Sequence, residues 1–375
     1  MSSELIDPFK RLPAEILLTI IKIEPDLQSL YCFTKASPGA AEVFRMYASE
    51  IVEEALGRLP EDLRRIIHGV ARCLPSNLDP HVTGDAQLAT EDMSKENDES
   101  LLPRDPPSWN LVLLLGLAFR VHQLAASFFS TYVDRINRIC PMHLSELEWH
   151  YSLHPLEDQP EGRAYNPART GPPSWAEECR VVRALWLLQF YYIVASHYVV
   201  PLEFPSDYGV IDPEDHRTSN RTLPSVWGDL RPWEVAEMEC LQIYLDDSNA
   251  SLLEPPPDQL NAAPAPTILP YQPWDDTSLA FQQAPEAASR ASPAFRFFRT
   301  YGQHGHKSPL KHIPWKEFQP LGFSIWDLKR LAMLELIHMP QESPLPGGIF
   351  YTLGVGVRLT QSDCCFTWLS IKGHR

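Results

Sequence analysis

Two stretches of this chain restrict its fold more than any others. Residues 109–139 and 174–200 place apolar side chains at three- and four-residue steps. In the first, Leu117, Val121, Leu124, Phe128, Tyr132, Arg135 and Ile139 follow that spacing; in the second, Val182, Leu185, Trp186, Phe190 and Ile193 do. Both also carry apolar residues on most other faces. A helix that is apolar nearly all round must be covered on all sides, so these two read as central helices. The uninterrupted apolar part of the first, residues 111–119, falls short of the roughly 20 residues that cross a bilayer. Arg120, His122 and Gln123 then interrupt it, so a buried core helix is expected there, not a membrane span. Glu177 and Arg180 stand one turn apart and are expected to pair on a polar face.

The rest of the chain reads as further helices joined by stiff connectors. Residues 9–74 read as several short helices, with Pro13 at a first helical position, Pro25 and Pro38 at turns, and Pro60 opening another helix. Glu61 and Asp62 sit in that helix's first turn, where carboxylates suit the dipole. Ile51, Ala55, Leu56, Leu63, Ile66, Ile67 and Val70 form one apolar stripe at helical spacing. Helices are also expected over 232–247 and 325–337. The 36 prolines are about twice the usual share, against only 17 glycines. They concentrate in 251–293, which reads as an extended proline-rich insertion. Residues 84–105 form an acidic, aromatic-poor loop, and 155–173 another loop. Residues 349–359 and 366–371 are rich in β-branched and aromatic residues and suggest a short C-terminal β-hairpin, weakened by Gly354 and Gly356. The expected class is mainly α. The expected segments are 1–75, 76–108 (acidic loop), 109–248 (central helices), 249–293 (proline- and alanine-rich connector) and 294–375 (packing on the helices).

Charge removes several partner classes. The formal net charge is −16, which repels phosphate backbones and anionic membranes, and no local basic patch offsets it. Neither nucleic acid nor membrane is expected as a partner. The seven cysteines are odd in number and contain no Cys-x-x-Cys pair, so thiols in a reducing compartment are expected. The N-terminus lacks a basic region followed by an apolar core, and a cytoplasmic or nuclear location is expected.

Catalytic signatures are not found. There is no phosphate-cradling Gly-x-x-x-x-Gly-Lys, and Gly354-Val355-Gly356 lacks the third glycine of a dinucleotide loop. There is no Gly-x-Ser-x-Gly elbow and no His-Glu-x-x-His. His304, His306 and His312, with Cys364, Cys365 and His374, match no closed zinc spacing. Glu234, Glu237 and Asp246 lie on one helix and read as an ordinary acidic helix surface. No catalytic residue, metal or cofactor is expected.

The opening of the chain carries the clearest motif. Leu12-Pro13-Ala14-Glu15-Ile16-Leu17 starts one apolar helix, with Ile20 and Ile21 a turn later. Asp26, Leu27 and Leu30 start a second, closed by Ala36-Ser37-Pro38, and Phe44 falls in a third. This resembles a degenerate F-box, of the F-box-like type abundant in filamentous fungi. The link at 22–25 is one residue short of the family pattern, and the third helix lacks the usual tryptophan. The resemblance implies a non-enzymatic substrate-recognition subunit of a cullin–RING (SCF-type) ubiquitin ligase. Its Skp-type adaptor would be met by Leu12, Pro13, Glu15, Ile16, Leu17, Ile20, Ile21, Leu27 and Leu30, and the remainder would face an unidentified target protein. Independently of the resemblance, Leu12, Ile16, Leu17, Leu18, Ile20, Ile21 and Ile23 surround a single short helix, more apolar surface than one neighbouring face can cover. The alternatives are a ligase-independent helical scaffold, with residues 12–36 packed wholly on 109–200, and an enzyme of unfamiliar type using His304 and His306.

Overall fold

The secondary structure follows the helical spacing closely. A computed structural model describes residues 9, 11–74, 108–139, 141–143, 163–198, 230–248, 315–336 and 367–369, with isolated positions at 153, 154, 158, 292, 294 and 295. Of these, 76% are helical. The fold is mainly α. Eight α-helices occur among the described residues: α1 Ala14–Ile23, α2 Leu27–Ala36, α3 Pro38–Leu56, α4 Glu61–Cys73, α5 Ser108–Asn137, α6 Trp175–Tyr198, α7 Pro232–Ser248 and α8 Leu328–Met333. The acidic segment 84–105 lies outside the described residues. So do 349–359 and all of the proline-rich insertion except Ser292.

The chain divides into two compact units, 1–127 with 181–285 and 128–180 with 286–375. The division falls within α5 and within α6. In the first unit, α1 and α2 both pack on α3. The α1–α2 link is short, and Asp26 opens α2 by accepting the Ser29 N–H at 2.7 Å. Ser37 ends α2 and caps α3 by accepting the Ala40 N–H at 3.1 Å, with Pro38 in the first turn. The expected stripe forms as read: Ile51, Ala55, Leu56, Leu63, Ile66, Ile67 and Val70 are all buried. On α6, every residue from Val181 to Tyr191 is buried. On α5, the mix of faces is less uniform: Leu111, Leu114, Leu115, Val121 and Leu124 are buried, while Val112 and Leu113 are exposed. By length and composition α5 is apolar enough to cross a membrane over Asn110–Asn137, and 56% of its most apolar window is enclosed by the protein.

The second unit combines helix ends, two 3₁₀ turns (Trp315–Glu317 and Gln319–Leu321) and a small sheet. Its strands, β1 Pro141–His143, β2 Arg163–Ala164 and β3 Thr367–Leu369, run in the order β2-β1-β3, all antiparallel. Met142 faces Ala164 on one side and Trp368 on the other. The expected loop over 155–173 therefore contains a strand, and the described partner of residues 367–369 is β1. The helix expected at 325–337 is shorter, because Asp327 starts α8 by accepting the Arg330 N–H and Leu334 ends it. Gly322 precedes it at φ 77, where a Cβ would lie 2.9 Å from the Trp326 ring. The Trp326 indole N–H instead donates to the Leu321 carbonyl at 2.7 Å.

Candidate functional site

The site is built on α1. Pro13 stands just before the helix in extended geometry (φ −56, ψ 148), not inside it, and its carbonyl accepts the N–H groups of Ile16 and Leu17 at 3.1 Å each. At 100° per residue, Ile16, Ile20 and Ile23 fall on one face, at steps of four and three, and Leu12 precedes the helix. Leu17 and Ile21, four apart, fall on another. The two faces meet different surroundings. Leu17 and Ile21 are buried, whereas Leu12 is 36%, Ile16 49% and Ile23 70% exposed, with Ile20 half-buried.

Of the nine residues expected to meet an adaptor, Leu12, Pro13, Glu15 and Ile16 face outward and Ile20 stands at the edge. Leu17, Ile21, Leu27 and Leu30 are enclosed within the fold. These four hold α1 and α2 in place, and a partner meeting this surface touches the outward set first. Further apolar exposure in the same unit lies at Met46 and Tyr47 on α3, where Tyr47 leaves helical geometry (φ −125, ψ 25), and at Val112 and Leu113 on α5.

Polar contacts secure the end of α1. The Arg58 guanidinium donates to the carbonyl oxygens of Glu24 at 2.6 Å, Ile23 at 3.3 Å and Lys22. The Lys22 ammonium pairs with Glu50 of α3. Further along, Tyr31 of α2 meets Phe119 of α5 with ring centroids 4.9 Å apart, and Lys35 lies over the Tyr31 ring.

Compared with known proteins, the chain matches no protein-family model, no curated sequence and no solved structure.

Charged groups inside the helices are the features that sequence reasoning placed wrongly. Glu177 and Arg180 do not lie on a polar surface; both are buried. Glu177 binds Arg330 through two contacts, 3.0 Å from Nε and 2.8 Å from a terminal nitrogen, and accepts the N–H groups of Ser174 and Asp327. Arg330 also donates to the carbonyls of Gly171 and Pro172. Arg180 donates to the Ile325 carbonyl at 2.8 Å. The Glu178 carboxyl, beside this node, is pushed up to about 7 by burial and then by the Glu177 charge. In the first unit Glu237 is not a surface acid either. It is fully buried and accepts from Arg183 at 2.6 Å, and Arg183 also reaches Asp62 at 3.3 Å. Burial disfavours the Arg183 charge, but Glu237 outweighs it and holds the guanidinium protonated. The signal available in the sequence was a charge inside an apolar run, Val181-Val182-Arg183-Ala184-Leu185, with a complementary one in Val235-Ala236-Glu237-Met238.

His304, His306, His312, Cys364, Cys365 and His374 lie outside the described residues. Among the described residues no group of three metal-ligating side chains is gathered. Cys32 is exposed and Cys73 buried, and burial pushes the Cys73 thiol up to about 12.

Proposed function

We propose that this protein is a non-enzymatic substrate-recognition subunit of a cullin–RING ubiquitin ligase, with α1 docking on a Skp-type adaptor and the remaining surface offered to a target protein. The observation that carries this reading is the outward stripe Leu12, Ile16, Ile20 and Ile23. Enclosing a Leu or Ile side chain is worth about 1.5–3 kcal/mol. A ten-residue helix that turns Ile16 and Ile23 to water, with Leu12 exposed just before it, forgoes part of that gain unless another surface completes the enclosure. Leu12 and Ile16 of the stripe belong to the Leu-Pro-x-Glu-Ile opening on which the F-box resemblance rests, and Ile20 to the aliphatic pair a turn later. In this mode no residue performs chemistry, and affinity comes from apolar burial around a few central anchors.

The test is co-purification of the full chain with a purified Skp-type adaptor. The wild type is expected to bind, and the double substitution Leu12→Asp, Ile16→Asp to abolish binding while leaving circular dichroism and unfolding midpoint unchanged. A wild-type chain that does not bind, or a double variant that binds equally, contradicts the proposal.

A further inference from the structure

We infer that Arg58 is a positioning residue for the docking face of α1, fixing the C-terminal end of the helix and so where Ile20 and Ile23 stand. The inference rests on the reading of α1 as an adaptor-docking helix. α1 has only ten residues, a length at which an isolated helix is marginal in water. It buries just Leu17 and Ile21, and no side chain caps its N-terminus. Its alignment therefore rests on those two side chains, in a helix packed on α3, and on what holds its other end.

The last carbonyls of a helix have no intrahelical donor. Here three consecutive ones, on Lys22, Ile23 and Glu24, accept from a single guanidinium. The planar fork of an arginine suits several acceptors at once, and its charge suits the negative end of the helix dipole. Arg58 is itself anchored. It follows the last residue of α3 by two positions, its N–H donates to the Ala55 carbonyl at 3.3 Å, and Glu54 lies 3.6 Å from the guanidinium. The contact thus ties the end of α1 to the end of α3, at the turn that carries the most exposed residue of the stripe, Ile23. The ion pair of Lys22 with Glu50 is a second tie at the same end. The first turn, with Ala14, Glu15 and Ile16 exposed, has neither.

The experiment uses the full chain with a purified Skp-type adaptor as the probe. It reads the dissociation constant by calorimetry and amide exchange over residues 17–26. Arg58→Ala is expected to weaken binding roughly fivefold to tenfold and to speed exchange at residues 21–24, with the unfolding midpoint of the whole chain nearly unchanged. Arg58→Lys, which keeps the charge without the fork, is expected to recover part of both effects, in step. Leu331→Ala, a buried α8 position in the other compact unit, serves as the control for general destabilisation and is expected to leave the dissociation constant as in the wild type. Binding by the wild type that is unchanged in Arg58→Ala overturns this inference alone, as does an equal loss in Leu331→Ala. A wild type that does not bind removes the adaptor reading, and the inference with it.

Discussion

α1 and α6 distribute their residues in opposite ways. α1 turns Ile16 and Ile23 to solvent and keeps its charges at the surface, in Glu15 and Lys22. α6 is buried from Val181 to Tyr191 and encloses Glu177, Arg180 and Arg183 as well. The first helix has aliphatic side chains where a soluble surface needs none, and the second has charges where a core needs none. Each departure carries a cost, and each has a different offset. Inside, the charges meet fixed partners: Glu177 with Arg330 in one unit and Arg183 with Glu237 in the other. Outside, the isoleucines meet water. The feature completed within the chain serves the fold, whereas the one left incomplete at the surface is where we propose that a partner docks.

The largest test of this contrast is at the buried charge. Glu177→Ala leaves Arg330 enclosed without its carboxylate and is expected to destabilise the protein by about 3–5 kcal/mol. Denaturant unfolding measures it, and a loss under about 1 kcal/mol would mean that the enclosed pair is not fixing that unit.

A smaller effect comes from Glu178, whose folded pKa lies near 7, above the ordinary carboxylate value. Because the folded state holds this proton more tightly than the unfolded chain does, the contribution of Glu178 is most favourable below pH about 4.5. It is lost as pH rises to about 7. The slope is at most about 1.4 kcal/mol per pH unit, reduced by the group's partial exposure. Glu178→Gln is expected to match the wild type at pH 4 and to exceed it by about 1–2 kcal/mol at pH 8. Equal stability of the two proteins at both pH values would show that Glu178 does not sit in the low-dielectric setting of its neighbour.

The smallest effect on stability is expected on the outward face. Leu12→Asp with Ile16→Asp replaces partly exposed side chains and is expected to change unfolding free energy by no more than about 1 kcal/mol, with the proposed adaptor binding expected to be lost. A loss of several kcal/mol would place those residues among the contacts that hold the fold, and α1 would then resemble α6 after all.

Helical periodicity made the fold class legible, because apolar spacing reports directly on which faces are covered. The bounds of α2 and the start of α3 followed from Asp26, Ser37 and Pro38, whose capping chemistry is local. What spacing did not supply was long-range pairing. Glu177 was read against Arg180, its neighbour in sequence, but bonds to Arg330, 153 residues away. Glu237 looked like one acid among many in a −16 chain, and only the fold brings Arg183 to it. The terminal strand at 367–369 was legible from its β-branched and aromatic content, but not its pairing with residues 141–143, since strand partners are set by topology. On α1 the sequence showed an excess of apolar surface, and the structure divided it between Leu17 and Ile21 inside and Ile16 and Ile23 outside. Arg58 left no mark in the sequence, because its acceptors are backbone carbonyls.

The most direct measurement is amide and side-chain protection of the full chain with and without a purified Skp-type adaptor. Protection is expected to rise over residues 12–24, greatest on the Leu12, Ile16 and Ile23 face, with α6 unchanged. A pattern in which α1 is already as protected as α6 without the adaptor, or gains nothing when it is added, would contradict a docking role for this helix.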